Sequence, residues 1–145
     1  MRRIYLKMAT AASAVIVAGL IPAAATAATP TPAAGTATDL GCRAESMLKR
    51  DGKVYVYATY NCQGRPICVD ADNDQDHGKG GDCKGANNRA SSVVNRGYAG
   101  SYSDVRFYLS PGYHGRSFCV RDGRFLEHLS GPVNNQVSSH KWTNC

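Results

Sequence analysis

Hydrophobic and polar residues alternate along most of this chain in short runs rather than at helical spacing. From Val54 onward the runs are VYVYATY, PICVD, SSVVN, VRFYLS, SFCVR and QVSS, bounded by Gly, Asn, Asp or Ser. β-Branched and aromatic residues in such runs suit half-buried strands. Several of them in succession, with no long 3.6-residue periodicity, predict an all-β sandwich or barrel. Residues 42–53, CRAESMLKRDGK, have room for one short helical turn, ended by Asp51-Gly52.

The chain also repeats itself, which changes the reading from a set of strands to a pair of units. A shift of 51 residues lays Val54, Tyr57, Gly64, Arg65, Cys68 and Val69 on Val105, Tyr108, Gly115, Arg116, Cys119 and Val120, six identities over 16 positions. Further on, Asn87-Asn88-Arg89-Ala90-Ser91-Ser92 matches Asn134-Asn135-Gln136-Val137-Ser138-Ser139 at a shift of 47. The first unit therefore has a connection four residues longer. That connection, Asp70 to Asp82, holds five of the chain's 11 acids.

The N-terminus reads differently. Arg2, Arg3 and Lys7 precede an apolar stretch from about Met8 to Ile21, and Ala25-Thr26-Ala27 supplies small residues for cleavage. This predicts a secretory signal peptide over 1–27 and a secreted, extracellular product. Removing 27 of 145 residues leaves 118, and the net charge falls from +6 to +3 because three bases and no acids leave. No nucleic-acid partner is expected at that charge. No second apolar run reaches the ~18 residues that span a bilayer, so no membrane association is expected. Residues 28–41, ATPTPAAGTATDLG, read as a flexible Ala/Thr/Pro lead-in to a domain over 42–145.

Six cysteines, Cys42, Cys62, Cys68, Cys83, Cys119 and Cys145, all lie beyond the predicted signal. An even count in an exported chain reads as disulfides, with 15 pairings open. A metal cluster would need close pairs such as C-x-x-C, and none is present. A domain this small buries a modest core, so three bridges of about 2–4 kcal/mol each weigh heavily in its stability.

Each unit carries an aromatic, then a sixth position, then glycine: Tyr57, Cys62 and Gly64 in the first, Tyr108, Tyr113 and Gly115 in the second. The arrangement suits a sharply folded hairpin, with a glycine at the tight point and a ring over the turn. A serine some 25 residues on is placed to hydrogen-bond it. Twice in tandem, this resembles the Greek-key motif of the βγ-crystallins, with Cys62 where an aromatic is usual. The resemblance implies two four-stranded Greek keys, about 54–98 and 105–145, packed as one disulfide-stapled sandwich.

The two Asn-Asn hexapeptides fit the calcium-binding pattern of microbial βγ-crystallins, in which each site draws ligands from both repeats. The ligands implied are Asn87, Asn88, Ser91, Asn134, Asn135 and Ser138. No cofactor is required, and calcium is the ion implied; with neutral Asn at all four leading positions a weak site is expected. The bland alternative is that Asn and Ser only build the turn before a strand.

The exported chain also resembles secreted metallopeptidase inhibitors built on this scaffold. In that family the reactive bond lies at a Cys-Val-Arg step twelve residues after a strand phenylalanine, and here Phe107 precedes Cys119-Val120-Arg121 by that spacing. The resemblance implies an inhibitory loop of Cys119, Val120, Arg121, Asp122, Arg124 and Phe125, with Cys119–Val120 as the reactive bond. The family closes this loop with a second cysteine where this chain has Arg124, so rigidity must come from elsewhere, a Cys119–Cys145 bridge being one way. The alternative is that Cys119 is a buried strand cysteine, like its counterpart Cys68.

Other chemistry is thin. Asp70, Asp72, Asp74 and Asp76 match the start of an EF-hand loop, but Gln75 and Gly81 stand where glycine and glutamate are required; a solvated acidic loop is the default, with loose cation affinity as the further expectation. His77, His114, His128 and His140 form no H-E-x-x-H pair, and there is no G-x-S-x-G elbow. The chain reads as no enzyme. The leading expectation is a monomeric secreted inhibitor of an extracellular peptidase, of the metallopeptidase class. The rivals are a structural or stress-related calcium-binding βγ-crystallin and a small secreted antimicrobial protein.

Overall fold

The computed structural model describes residues 41–145. The signal peptide read at 1–27 and the lead-in read at 28–41, Gly41 apart, lie outside the described residues. One helix and seven strands organise the rest: α1 (Gly41–Met47), β1 (Lys53–Tyr57), β2 (Cys68–Asp70), β3 (Ser92–Arg96), β4 (Asp104–Ser110), β5 (His114–Val120), β6 (Phe125–Leu126) and β7 (Ser139–Thr143). They form two antiparallel sheets, ordered β2-β1-β3-β6 and β5-β4-β7.

The repeat seen in the sequence is the repeat of the fold. Each unit contributes three neighbouring strands with its first strand in the centre, and the second unit lends β6 to the first unit's sheet, pairing Val93 with Leu126 and Val94 with Phe125. The reciprocal crossing is a single bridge, Asp74 to His140. Period-2 alternation sends Val54 and Val56 of β1 and Val105 and Phe107 of β4 inward, where they meet Val93 and Val120. Burying each valine is worth roughly 1.5–3 kcal/mol. Val94 points the other way and is also fully buried, because α1 covers that face together with Tyr57 and the Cys42–Cys62 pair.

Three disulfides staple the domain, Cys42–Cys62, Cys68–Cys83 and Cys119–Cys145, and leave no free cysteine among the described residues. The first ties α1 to the end of β1. Arg96 on β3 adds to that tie through Glu45 at 3.5 Å, Asp51 at 2.8 Å and the Lys49 carbonyl at 2.9 Å, with its guanidinium 4.6 Å from the Tyr55 ring centre. Burial of the Tyr55 hydroxyl, reinforced by its hydrogen bond to Asp51, pushes its pKa up to about 12.

Some boundaries differ from the sequence expectation. The short turn read in 42–53 is a seven-residue helix, too short to persist in water unaided and held here by the disulfide and Arg96. The run QVSS contributes only Ser139 to β7, because the backbone of Val137 and Ser138 is engaged outside the ladder: their carbonyls accept from Asn88 and His77 at 2.9 Å each. The acidic connection is not simply solvated, since Asp70 and Asp74 are both buried.

Candidate functional site

Local geometry at the two folded corners shows why the sequence pattern recurs. After β1 the chain turns through Asn61 and Cys62, and after β4 through Gly112 and Tyr113, all four at positive φ. Ser92 accepts from the Cys62 N–H at 2.9 Å and donates to the Thr59 carbonyl at 2.6 Å. Ser139 accepts from the Tyr113 N–H at 3.2 Å and donates to the Ser110 carbonyl at 2.7 Å. The second corner keeps its ring pair, Tyr108 and Tyr113 at 5.8 Å; the first has the Cys42–Cys62 bridge in that place.

The corners bring the two Asn-Asn hexapeptides into reciprocal contact. Ser91 donates to Asn135 Oδ1 at 3.3 Å, and Ser138 donates to Asn88 Oδ1 at 3.2 Å. The Asn88 N–H reaches the Val137 carbonyl and the Asn135 N–H the Ala90 carbonyl, each at 2.9 Å. Asn88 and Asn135 sit at φ 56° and 54°, a left-handed conformation that Asn tolerates better than most residues. The Oδ1 atoms of Asn87 and Asn134 are buried with no hydrogen-bond partner, at equivalent positions in the two units. A buried polar oxygen left unpaired costs about 1–3 kcal/mol, and a hard cation is one way to satisfy it. Of the six residues named from sequence, four thus meet as two mirrored pairs of neutral oxygens, Ser91 with Asn135 and Ser138 with Asn88, and the other two, Asn87 and Asn134, hold orphaned oxygens of a kind calcium accepts.

The proposed inhibitory loop divides sharply. Cys119 and Val120 end β5, in register with Arg106 and Val105, and Val120 is only 2% exposed in the core. The Cys119–Val120 bond, expected as the reactive bond, thus lies in a paired, extended strand with the Val120 side chain buried, an arrangement that does not favour its presentation to a peptidase. The exposed part is the turn from Arg121 to Arg124, closed by the Arg124 N–H on the Arg121 carbonyl at 2.9 Å with Gly123 at φ 62°. Phe125 enters β6 and packs, half-buried, against the cluster under α1.

Arg50, Asp104 and Asn95, which the sequence did not single out, help to hold this turn. Asp122 pairs with Arg50, which also donates to the Gly97 carbonyl at 2.8 Å. The Asp122 N–H donates to Asp104 at 2.9 Å, and the other Asp104 oxygen accepts from the Cys145 N–H at 2.8 Å, beside the Cys119–Cys145 bridge. Buried Asn95 receives nothing from periodicity, yet its N–H reaches the Arg124 carbonyl at 2.9 Å and its side chain the Val120 carbonyl at 3.1 Å. Arg50 and Asp122 are 72 positions apart, so only the fold could reveal them as partners. Beside the turn, a cleft of about 360 Å³ opens between α1 and Arg124, lined also by Arg43, Met47 and Phe125.

Comparison with known proteins places this geometry. The sequence model of peptidase inhibitor family I36 matches residues 50–120, from the run before β1 to the end of β5. No curated protein sequence matches the chain significantly. A solved structure described under "Evolution of the eye lens beta-gamma-crystallin domain fold" is similar with a TM-score of 0.51 and 21% identity, covering 61% of this chain and 82% of that one. A βγ-crystallin from Ciona intestinalis gives a TM-score of 0.50 at 17% identity, covering 63% of this chain and 100% of that one. At these identities the structural likeness speaks for the fold, and the sequence match speaks for the class. Two interlocked Greek keys, with the family I36 match over residues 50–120 running through them, support a βγ-crystallin-like, non-enzymatic protein of the peptidase-inhibitor kind.

Proposed function

We propose that the domain is exported and inhibits an extracellular metallopeptidase, one inhibitor to one peptidase, by presenting the Arg121–Arg124 turn and the cleft beside it. The observation that carries this reading is the turn's support from below. A disulfide, an ion pair and the Asp104 hydrogen bonds fix it while Arg121 and Arg124 stay exposed. A loop already held in one conformation loses little ordering entropy on binding, which is how protein inhibitors gain affinity. The test is titration against a thermolysin-type peptidase. Stoichiometric inhibition is expected, weakened at least tenfold in Arg121→Ala/Arg124→Ala while the melting temperature holds. Inhibition that ignores both arginines would refute the turn; no inhibition at micromolar protein would refute the metallopeptidase target.

A second reading is favoured by the orphaned Asn87 and Asn134 oxygens. In it the paired hexapeptides bind calcium, with Ser91 and Ser138 supplying hydroxyl oxygens, and the ion rigidifies the seam between the two units. Added Ca²⁺ should then raise the melting temperature, and Ser91→Ala/Ser138→Ala should abolish most of the rise.

A further inference from the structure

The shift of 51 residues that aligns the repeats lays Asp70 on Arg121 and Asp74 on Phe125. The chemistry at these matched places is opposite. Where Phe125 pairs with Val94 in the apolar sheet, Asp74 pairs with His140, its N–H on the His140 carbonyl at 3.0 Å and its carbonyl accepting back at 2.8 Å. A carboxylate has been carried into a position that its twin fills with a ring.

Asp74 is 8% exposed. Its Oδ1 accepts from the Asp76 N–H at 2.8 Å, but its Oδ2 is buried and has no hydrogen-bond partner. Asp74 lines a cavity of about 790 Å³ whose wall carries five carboxylates, those of Asp70, Asp72, Asp74, Asp76 and Asp82, against the single ammonium of Lys79. Lys79 is spent on Asp76, at 3.3 Å and largely in solvent. Asp70 is 5% exposed, and one of its carboxylate oxygens lies within 4.8 Å of one from Asp74. Two oxygens of one Ca²⁺ shell, each about 2.3–2.6 Å from the ion, span about that distance at most.

Among the described residues, no other lysine or arginine lines the cavity. Two buried imidazoles stand behind it, joined at 2.8 Å between His77 Nε2 and His140 Nδ1, with His140 Nε2 3.8 Å from Asp70 Oδ2. Gly81 leaves the space: at φ 69°, a methyl group there would stand 3.0 Å from Asp74 Oδ2. Cys68–Cys83 closes the segment into a fixed loop.

We propose that this cavity is a divalent-cation site, taken by Ca²⁺, with Asp70 and Asp74 as buried ligands and carboxylates of the rim and water completing an oxygen shell. It is separate from the Asn-Ser hexapeptides and independent of peptidase inhibition. It is not an EF-hand, since positions 75 and 81 break that pattern; the fold, not a linear motif, assembles it. Charge makes it the tighter of the calcium sites, because its ligands are carboxylates where the hexapeptides offer amides and hydroxyls.

The test is calorimetric titration of Ca²⁺ into metal-stripped protein, comparing wild type, Asp74→Asn and Ser91→Ala/Ser138→Ala. The tightest binding event should persist in the serine double variant and weaken at least tenfold in Asp74→Asn, which keeps the shape and the Oδ1 bond. A second measurement needs no variant: Mn²⁺ added to wild type should first broaden the amide resonances of residues 70–82 and of Gly112 across the cavity. Tight binding unchanged in Asp74→Asn, or broadening that begins at 87–91 and 134–138 instead, would overturn the site.

Discussion

The two Greek keys share a corner and diverge in the connection that follows. In both, a serine from the last strand clamps the folded turn with one accepted and one donated hydrogen bond. After β2, however, the chain runs through a stapled acidic loop that makes one isolated β-bridge to the other sheet, with side-chain contacts beside it, whereas after β5 it makes a tight arginine-bearing turn and adds a short strand. One crossing collects five carboxylates; the other exposes Arg121 and Arg124 and neutralises Asp122 with Arg50. The corner and central strand specify the fold, so the crossing connection is free to carry chemistry. Under the two proposals above, the same topological slot would serve a cation in one unit and a protein partner in the other.

The largest break in this comparison should come from the staples. Cys68 and Cys83 belong to the main core, at 2% and 0% exposure, and their bridge closes 15 residues. Replacing both by alanine removes about 3 kcal/mol of chain constraint and leaves a hole besides. At about 4–8 °C per kcal/mol for a domain of this size, melting should fall by more than ~12 °C. Cys119→Ala/Cys145→Ala loses a comparable constraint, but Cys145 is exposed and little packing goes with it. Its melting drop should therefore be smaller. Equal drops in thermal denaturation would show that the acidic loop is not anchored in the core.

Acid should separate the units next. His77 and His140 have folded pKa values near 4, below the ~6.5 of an unfolded histidine. The unfolded chain therefore takes protons first, and stability that is complete above about pH 6.5 is lost as pH falls toward 4, by roughly 3 kcal/mol for one ring. Asp70 works in the opposite sense lower in the range, since a raised carboxyl pKa means the folded state gains from its proton. Denaturant midpoints in the presence of chelator, at pH 7 and pH 5, should show a clear loss at pH 5. A flat profile would mean that the buried imidazoles are not held neutral.

What was legible follows from which interactions are local. The repeat, the corner glycines and the clamping serines are short-range demands of one turn, so they recur in the sequence and predicted the Greek keys. β6 escaped notice because two residues carry no periodicity; it forms only since Val93 and Val94 stand ready to pair with it. The hexapeptides were readable as a motif, but their cross-contact, Ser91 with Asn135 and Ser138 with Asn88, exists only after the units pack. The acidic loop misled for the opposite reason. Polar composition usually signals solvent, and the burial of Asp70 and Asp74 is imposed by a disulfide and by a bridge to a strand some 66 residues away.

The clamping serines themselves should respond unequally. Ser92→Ala leaves the buried Cys62 N–H without an acceptor, while Ser139→Ala leaves that of Tyr113, which is half-buried. Each change should cost about 1–3 kcal/mol in denaturant unfolding, with Ser92→Ala at the upper end because water can reach the second corner.

The finest distinction lies at the matched glycines. Gly64 and Gly115 have nearly identical φ, 78° and 77°, so alanine incurs the same backbone strain of about 1 kcal/mol at both. Their surroundings differ. A methyl group on Gly64 would meet nothing within 4 Å, whereas one on Gly115 would stand 2.9 Å from Ser110 Oγ. Gly64→Ala should therefore cost only the strain, and Gly115→Ala measurably more. The excess belongs to one hydroxyl, so adding Ser110→Ala to Gly115→Ala should bring the cost, measured against Ser110→Ala alone, back to the Gly64→Ala value. If the excess survives that double change, the second corner is tight in its backbone rather than at Ser110, and the two corners differ in more than their neighbours.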